Sequence, residues 1–525
     1  MGSMSLVTSV AGATSGAPGR LERHPRRWAV LAVLSVSLLI VSLDTTILNV
    51  ALPTIVRDLH ASSSELQWIV DAYSVVFAGL LLVIGTLGDR VGRKWVFMAG
   101  LVVFAAGSAA SAWSSTPALL TAFRALMGIG GAAIMPSTLS ILTNVFGDDE
   151  RATAIGIWSG TTGLGVAVGP VIGGWLLAHY WWGSVFLINV PIAAIGLLAA
   201  VWLVPNSKNL AAKAPDPVGA VLSVAGMGLL LWGIIEAPNR SWTSALVLGA
   251  LVAAAVVLAA FVVWERRSTH PMLELSFFSS PRFSAAVSSM GIVLFALMGG
   301  LFVLTQYLQF SLGYSALAAG LRIAPVAGVL LITAPLSTPL VRLLGTKVVV
   351  CAGLGVIAAG LLMVSSTTVH GGYLDALPAF VLIGAGTGLA MAPSTDSVMG
   401  SVPPELAGAG SATNGAFLQT GGALGVAVLG SLLNGRYKGH LSPLLHGYQI
   451  PPEVLHTING SLGGALAVAH QIGGAVGAGL AGAARQGFVL GMDLSSETAG
   501  YVVLGAAVLV LAVLPSRARK PRAGK

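Results

Sequence analysis

Charge is what this sequence has least of. Of 525 residues only 9% are Asp, Glu, Lys or Arg, against about 25% in a soluble domain. Hydrophobic residues make up 55%, and the mean hydropathy is +0.87. So few charges exclude a chain folded around one core in water. The single cysteine, Cys351, lies within an apolar run, so neither a disulfide framework nor a cysteine metal site can form. Nine histidines are present; His179, His370, His440, His446, His456 and His470 fall on or near the expected outer side without metal-ligand spacing, and no metal is expected. No GxxxxGK[ST] stretch occurs, so the chain has no ATP site of that kind. No nucleophile and base share a depth, so no enzyme and no cofactor are expected. The net charge of +8 is not a nucleic-acid footprint, because the basic residues sit in short loops and tails where orienting helices accounts for them.

What fills the chain is a series of apolar runs of about 20 residues, each able to cross a ~30 Å hydrocarbon core as a helix. Read between charged and Pro/Gly punctuation, they fall near 28–51, 66–87, 95–113, 117–140, 153–178 and 184–204, then 217–236 and 244–264, then 284–308, 316–341, 346–367, 374–396, 408–433 and 498–516. The expected fold is an all-α polytopic membrane protein: two six-helix bundles plus two inserted spans, fourteen transmembrane helices. Its divisions are an N-terminal tail (1–27, with "MGS" at 1–3 resembling an expression scar), a first bundle (28–204), a linker with the inserted spans (205–283), a second bundle (284–516) and a basic tail (517–525). Residues 434–497 read as an external loop, and "GGALAVAHQIGGAVGAGLAGAA" within them as an interfacial helix rather than a fifteenth span. An odd count would put the basic C-terminus outside. With the N-terminus inside, Arg26, Arg27, Arg90, Arg93, Lys94, Arg266, Arg267, Arg342, Arg519 and Lys520 are cytoplasmic, and only Arg57, Arg240, Arg436, Lys438 and Arg485 face out.

Two halves around an insertion point to an internal repeat, the architecture in which transporters place a site between rocking halves. "GTLGDRVGRK" (85–94) and "TPLVRLLGTK" (338–347) occupy matching places, with Arg342 where the first half has Asp89. In the first loop Gly85 allows close approach, Gly92 permits a turn, and Asp89 can face a helix N-terminus or an arginine. The basic trio Arg90, Arg93 and Lys94 anchors the loop inside and can supply partners that break as the halves move; the alternative is an orienting loop alone.

Asp44 lies nine residues, ~13 Å, inside Pro53, and Arg124 seven residues, ~10 Å, from Pro117, so opposite charges share a depth. Ionisable groups in a bilayer cost several kcal/mol unless paired or facing a cavity, which marks this pair as functional, or else as a static tie between spans. Asp71 and Arg322 lie at repeat-related depths and form either an outer gate or two separate interfacial groups. Asp396, near the cytoplasmic end of its span, caps or couples. Phe77, Trp158, Phe302, Gln306 and Tyr307 are candidates for an aromatic, weakly polar cavity for lipophilic cations, or for packing.

The loop pattern G-x-L-x-D-R-x-G-R-K, matched at Gly85, Leu87, Asp89, Arg90, Gly92, Arg93 and Lys94, resembles the signature loop of the major facilitator superfamily. "LDTTILNVALP" (43–53) resembles the first-span motif of fourteen-span drug:proton antiporters of the QacA/EmrB type. "GVAVGPVIGGW" (165–175), with Gly165, Gly169, Pro170, Gly173 and Gly174, resembles their antiporter motif, and "FLINVPIA" (186–193) continues it. "RALMGIGGA" (124–132) resembles the span-four motif whose arginine is implicated in proton coupling. The resemblance departs at "WWGSVF" and at Leu418, where relatives often carry arginine. It implies a major facilitator fold in a bacterial inner membrane with both termini cytoplasmic. It also implies a monomeric proton-coupled multidrug exporter whose partners are protons, lipophilic or cationic small molecules and membrane lipid. Export of an endogenous lipid, peptide or secondary metabolite is the alternative, and a non-transporting receptor or scaffold the contrasting class.

Overall fold

The computed structural model describes residues 25–208, 215–269, 271–369, 371–402, 407–446 and 449–514. The leading tripeptide, the linker around Lys213, His370 and the basic tail at 517–525 lie outside these residues. What is described is helical almost throughout. The first half comprises α1 (Arg27–Leu59), α2 (Ser63–Val91), α3 (Arg93–Ala112), α4 (Pro117–Val145), α5 (Asp148–His179), the single turn α6 (Ser184–Leu187) and α7 (Asn189–Leu203). The inserted pair is α8 (Pro217–Arg240) and α9 (Ala245–Arg267). The second half contains α10 (Pro281–Gln306), α11 (Ala316–Leu344), α12 (Thr346–Val364), α13 (Tyr373–Met399), α14 (Ala407–Leu445), α15 (Pro452–Gly460), α16 (Leu462–Ile472) and α17 (Gly474–Val513).

Local chemistry sets the boundaries. Ser62 and Glu65 close a capping box at the start of α2; Thr116, Ser244, Ser280 and Ser315 cap α4, α9, α10 and α11 through their hydroxyls. Pro117, Pro217 and Pro281 occupy first turns, where the missing N–H costs nothing. Each of the fourteen segments read as spans falls on helix. Among the described residues, twelve helices are long and apolar enough to cross a membrane, or thirteen if the two parts of α2, bent by 51°, count as one.

The halves are built alike. On α5, Gly165, Gly169 and Gly173 lie against Ser42, Thr46 and Ile47 of α1, so close that an added Cβ would fall 2.1–2.7 Å from their side chains. On α14, Gly421 and Gly425 meet the Gly291 and Phe295 carbonyls of α10 in the same way, at 2.1 and 2.2 Å. The opposite side of each helix reaches across to the other half. Gly320 of α11 sits on the Pro170 carbonyl of α5, Leu317 on Gly174, and Gln67 of α2 on Gly430 of α14. Gln309 donates to the Val50 carbonyl at 2.9 Å. These close approaches gather at the ends of α1 and α5 and the starts of α2 and α11. Toward the opposite end, a Cβ at Gly415 would make only ordinary contact with Leu81, at 3.5 Å.

The inserted pair does not stand apart. Gly79 of α2 packs on Val224 of α8, and Ser431 of α14 donates to the Ile234 carbonyl at 2.7 Å, so α8 touches both halves. Helix α9 leaves Leu246, Val252 and Val256 exposed on its far side, a face suited to lipid.

The segment 434–497 departs from the loop reading. α14 continues to Leu445 and α17 begins at Gly474, each one unbroken helix of 39 and 40 residues. Only α15, α16 and their short joints lie between. The polar residues near 436–440 mislead because they sit on a helix whose other side is packed: Gly491 of α17 meets the Leu433 carbonyl, and Gly487 meets Tyr437 and His440. The Ala/Gly-rich stretch is divided at Gly473 and Gly474, both with positive φ, into α16 and the start of α17. α15 and α16 fold back onto the bundle. The Tyr437 hydroxyl donates to the Ile458 and Ser461 carbonyls, and Gly463 packs between Val56 of α1 and the Phe310 ring.

Candidate functional site

Asp44, Arg124 and Asp71 are all buried, with 0%, 1% and 0% of their surfaces exposed. Arg124 Nη1 forms an ion pair with Asp44 Oδ2. Its Nε donates to the Ile69 carbonyl at 3.1 Å, and its guanidinium carbon lies 4.5 Å from the centre of the Tyr73 ring. The other Asp44 oxygen, Oδ1, accepts from Asn189 Nδ2 at 3.2 Å. Asn189 Nδ2 also donates to Ser108 Oγ at 3.0 Å, and that hydroxyl donates to the Phe186 carbonyl at 2.8 Å. The carboxylate is thus held by a cation on one oxygen and a polarised chain on the other, in a place where removing either partner leaves a buried charge.

Asn189 belongs to "FLINVPIA" but was not singled out. The predicted span 184–204 forms one membrane-length helix whose backbone stays helical through Ile188, between α6 and α7, and it carries Asn189, two residues before Pro191, onto Asp44. An amide inside an apolar run beside proline was the available signal. Tyr73 and Ser108 carried no such mark.

Asp71 is different. Neither of its oxygens has a hydrogen-bond partner, and one turn away both polar atoms of buried Gln67 are likewise unpartnered. Asp71 and Arg322 are not paired. Arg322 lies against two tyrosines and donates from Nη1 to the Ala318 carbonyl at 3.0 Å. Asp396 is exposed near the end of α13.

The stretch 85–94, expected as a loop, is instead helix on both sides of Gly92, because α2 runs on to Val91 and α3 begins at Arg93; it is laced to its own half. Arg93 Nε donates to Asp89 Oδ1 at 2.7 Å, and Arg93 Nη1 to the Ser140 carbonyl at 3.1 Å; the Arg93 amide bonds to the Ser207 carbonyl and Lys94 Nζ to the Val201 carbonyl. Of the two expected partners for Asp89, an arginine is the one observed. Gly92 has φ +132°, and Gly85 contacts Pro136; Arg90 is exposed. At the matching place Gly345 has φ +86° and joins α11 to α12.

The five cavity candidates are all buried. Trp158 Nε1 donates to Thr138 Oγ1 at 3.1 Å, Gln306 Nε2 to the Phe302 carbonyl and Tyr307 to the Thr368 carbonyl, both at 3.1 Å, while Phe77 packs on Tyr73. A narrow apolar crevice elsewhere, between α10, α11 and α13, is lined by Leu297, Leu301, Leu304, Val326, Phe380 and Ile383, none of them among the five. Among the described residues no three His, Cys, Asp or Glu side chains converge as metal ligands.

Two helical halves of like construction, joined at one end and with a buried ion pair in the first, define a transporter rather than an enzyme. The chain belongs to the Major Facilitator Superfamily, whose family model matches residues 34–426. It is 37% identical over 412 residues to the tetracenomycin C resistance and export protein of Streptomyces glaucescens, covering 78% of this chain and 77% of that protein. It is 35% identical over 455 residues to the multidrug efflux pump LfrA of Mycolicibacterium smegmatis, covering 86% and 90%. It is 32% identical over 445 residues to the puromycin resistance protein pur8 of Streptomyces alboniger, covering 83% and 87%. In fold it is similar to a bacterial homologue of the human lysosomal transporter Spinster, solved in an inward-facing, occupied conformation. That likeness has a TM-score of 0.66 at 18% identity and covers 93% of this chain and 98% of that one.

Proposed function

We propose that this chain is a proton-coupled exporter of amphiphilic or cationic small molecules, working by alternating access through fourteen spans with both termini cytoplasmic. The observation that carries the reading is the buried Asp44–Arg124 pair with Asn189 on its second oxygen. A proton arriving at Asp44 cancels its charge, frees Arg124 and removes the reason for α1 and α4 to stay in register. A cationic substrate competes with that proton for the same carboxylate. Asp71, buried without any partner, is the alternative carrier. Backbone-close contacts at one end of the halves and ordinary side-chain contact at Gly415 toward the other support alternation about the tighter end. The α2–α3 junction at 85–94, bonded through Arg93 and Lys94 to α4 and to residues 201 and 207, moves with the first half as one body and serves as the inner gate.

A relative named for tetracenomycin C resistance and export supports a second reading, export of an endogenous secondary metabolite by the same machinery. The test is efflux of ethidium from cells expressing the wild type, Asp44→Asn or Asp71→Asn, with and without a protonophore. Loss of efflux on Asp44→Asn and on protonophore treatment is expected. Efflux from Asp44→Asn equal to the wild type, still stopped by the protonophore, would move the carrier to Asp71.

A further inference from the structure

The second half holds a half-buried arginine, Arg322, that, unlike Arg124, has no carboxylate partner among the described residues. Arg322 lies in the second turn of α11. Its guanidinium carbon is 3.9 Å from the centre of the Tyr314 ring and 5.4 Å from that of Tyr373. The group is firmly placed. Nη1 donates to the Ala318 carbonyl, the Tyr373 hydroxyl donates to the Arg322 carbonyl at 3.0 Å, and Tyr314 is fixed by its amide on the Leu308 carbonyl. The nearby acid Asp375 is engaged elsewhere, accepting from the Gly372 amide at 2.9 Å to cap its own helix.

Nε of Arg322 is buried and donates to nothing, and Nη2 makes no hydrogen bond. A guanidinium N–H left without an acceptor away from water is costly. The two free donors lie on one edge of a planar fork, the geometry that receives both oxygens of a carboxylate or phosphate. Tyrosine rings against the cation hold it in place.

We propose that the Nε–Nη2 edge of Arg322, held by Tyr314 and Tyr373, is a binding site for an oxyanion, a carboxylate or phosphate carried by a transported molecule or by a phospholipid headgroup. Resting on the export reading, it extends the substrate class from cations to compounds bearing an acidic group. Cations would meet Asp44 in the first half and anions Arg322 in the second.

The experiment measures binding of 5-carboxyfluorescein to the purified protein by fluorescence anisotropy, with ethidium as the cationic reference and vesicles of phosphatidylcholine alone or with phosphatidylglycerol. Arg322→Gln is expected to weaken carboxyfluorescein binding by about tenfold or more, as loss of a charge-assisted pair does. Arg322→Lys, which keeps the charge but not the fork, should fall between, and ethidium binding should stay within about twofold. Displacement of the dye by phosphatidylglycerol but not phosphatidylcholine, or Arg322-dependent binding of phosphatidylglycerol where the dye does not bind, identifies the lipid source. Equal binding of dye and phosphatidylglycerol by wild type and Arg322→Gln overturns the site, as does absence of binding of either. Parallel loss of dye and ethidium in both variants also overturns it, by showing a structural role. Failure of the export reading would show separately, as absence of ethidium efflux by the wild type.

Discussion

Gly320 of α11 and Pro170 of α5 meet backbone to backbone across the two halves: a Cβ built at Gly320 falls 2.1 Å from the Pro170 carbonyl oxygen. No rotamer change relieves such a contact, because both partners are main chain. Gly320→Ala is therefore expected to separate α5 from α11, costing about 1–3 kcal/mol as overpacking does. Gly328→Ala, on the same helix with open space around it, is the control. Ethidium efflux and thermal melting in detergent check both: loss in Gly320→Ala alone is expected, and equal behaviour would sink the argument.

Asp44 and Asp71 should separate on stability. Asp44→Asn removes the charge that Arg124 faces and leaves a buried cation unpaired, a loss of about 3–5 kcal/mol for a broken buried pair. Asp71→Asn breaks no bond, since neither oxygen has a partner, and replaces an acid by a neutral group of its own shape. The melting temperature is expected to fall for the first and to hold or rise for the second. A fall in both would show that Asp71 has a partner.

The two inter-helix loops turn on glycines with positive φ, Gly92 and Gly345. Alanine at either place is forced into a positive-φ region that only glycine adopts freely, at about 1–3 kcal/mol. Gly92→Ala should cost more, because its Cβ also meets Asn206 Oδ1 at 2.8 Å. Thermal melting of the two variants gives the order; a reversed order would mean that the Asn206 contact yields freely.

Tyr437→Phe removes a hydroxyl that donates to the Ile458 and Ser461 carbonyls, where α15 turns into α16. Loss of about 1 kcal/mol raises local opening roughly fivefold. Hydrogen exchange over residues 452–472 is expected to quicken by that factor while α10 is unchanged. Unchanged exchange over 452–472 would mean that the Gly463 packing alone holds the segment.

Much of the fold was legible because the bilayer leaves so few choices. An apolar run of about 20 residues has to be helix, and every segment read as a span falls on helix among the described residues, although the count there by length and apolarity reaches twelve or thirteen rather than fourteen. The weak echo between "GTLGDRVGRK" and "TPLVRLLGTK" held at a level deeper than residue identity: the eighth position of each is a glycine with positive φ, even though Asp89 and Arg342 differ. Asp44 and Arg124 were legible as a pair from depth alone. Asn189 was not, since its role depends on how the helix carrying "FLINVPIA" packs against α1. Arg322 was placed in the right span, but depth could not choose between a pairing with Asp71 and a separate place, because it says nothing about which way a helix is turned. The loop reading of 434–497 failed because polar residues on one side of a helix look, in one dimension, like a loop.

At 1.5 Å per residue, α14 and α17 are about 58 and 60 Å long, nearly twice the thickness of a bilayer's hydrocarbon core. Even strongly tilted, such a pair has to stand clear of the lipid, carrying α15 and α16 with it. The ends of α14 and α17 therefore form a helical landmark beyond the hydrocarbon core. An antibody fragment raised against that end is expected to bind clear of the membrane and to add mass and asymmetry to a small particle.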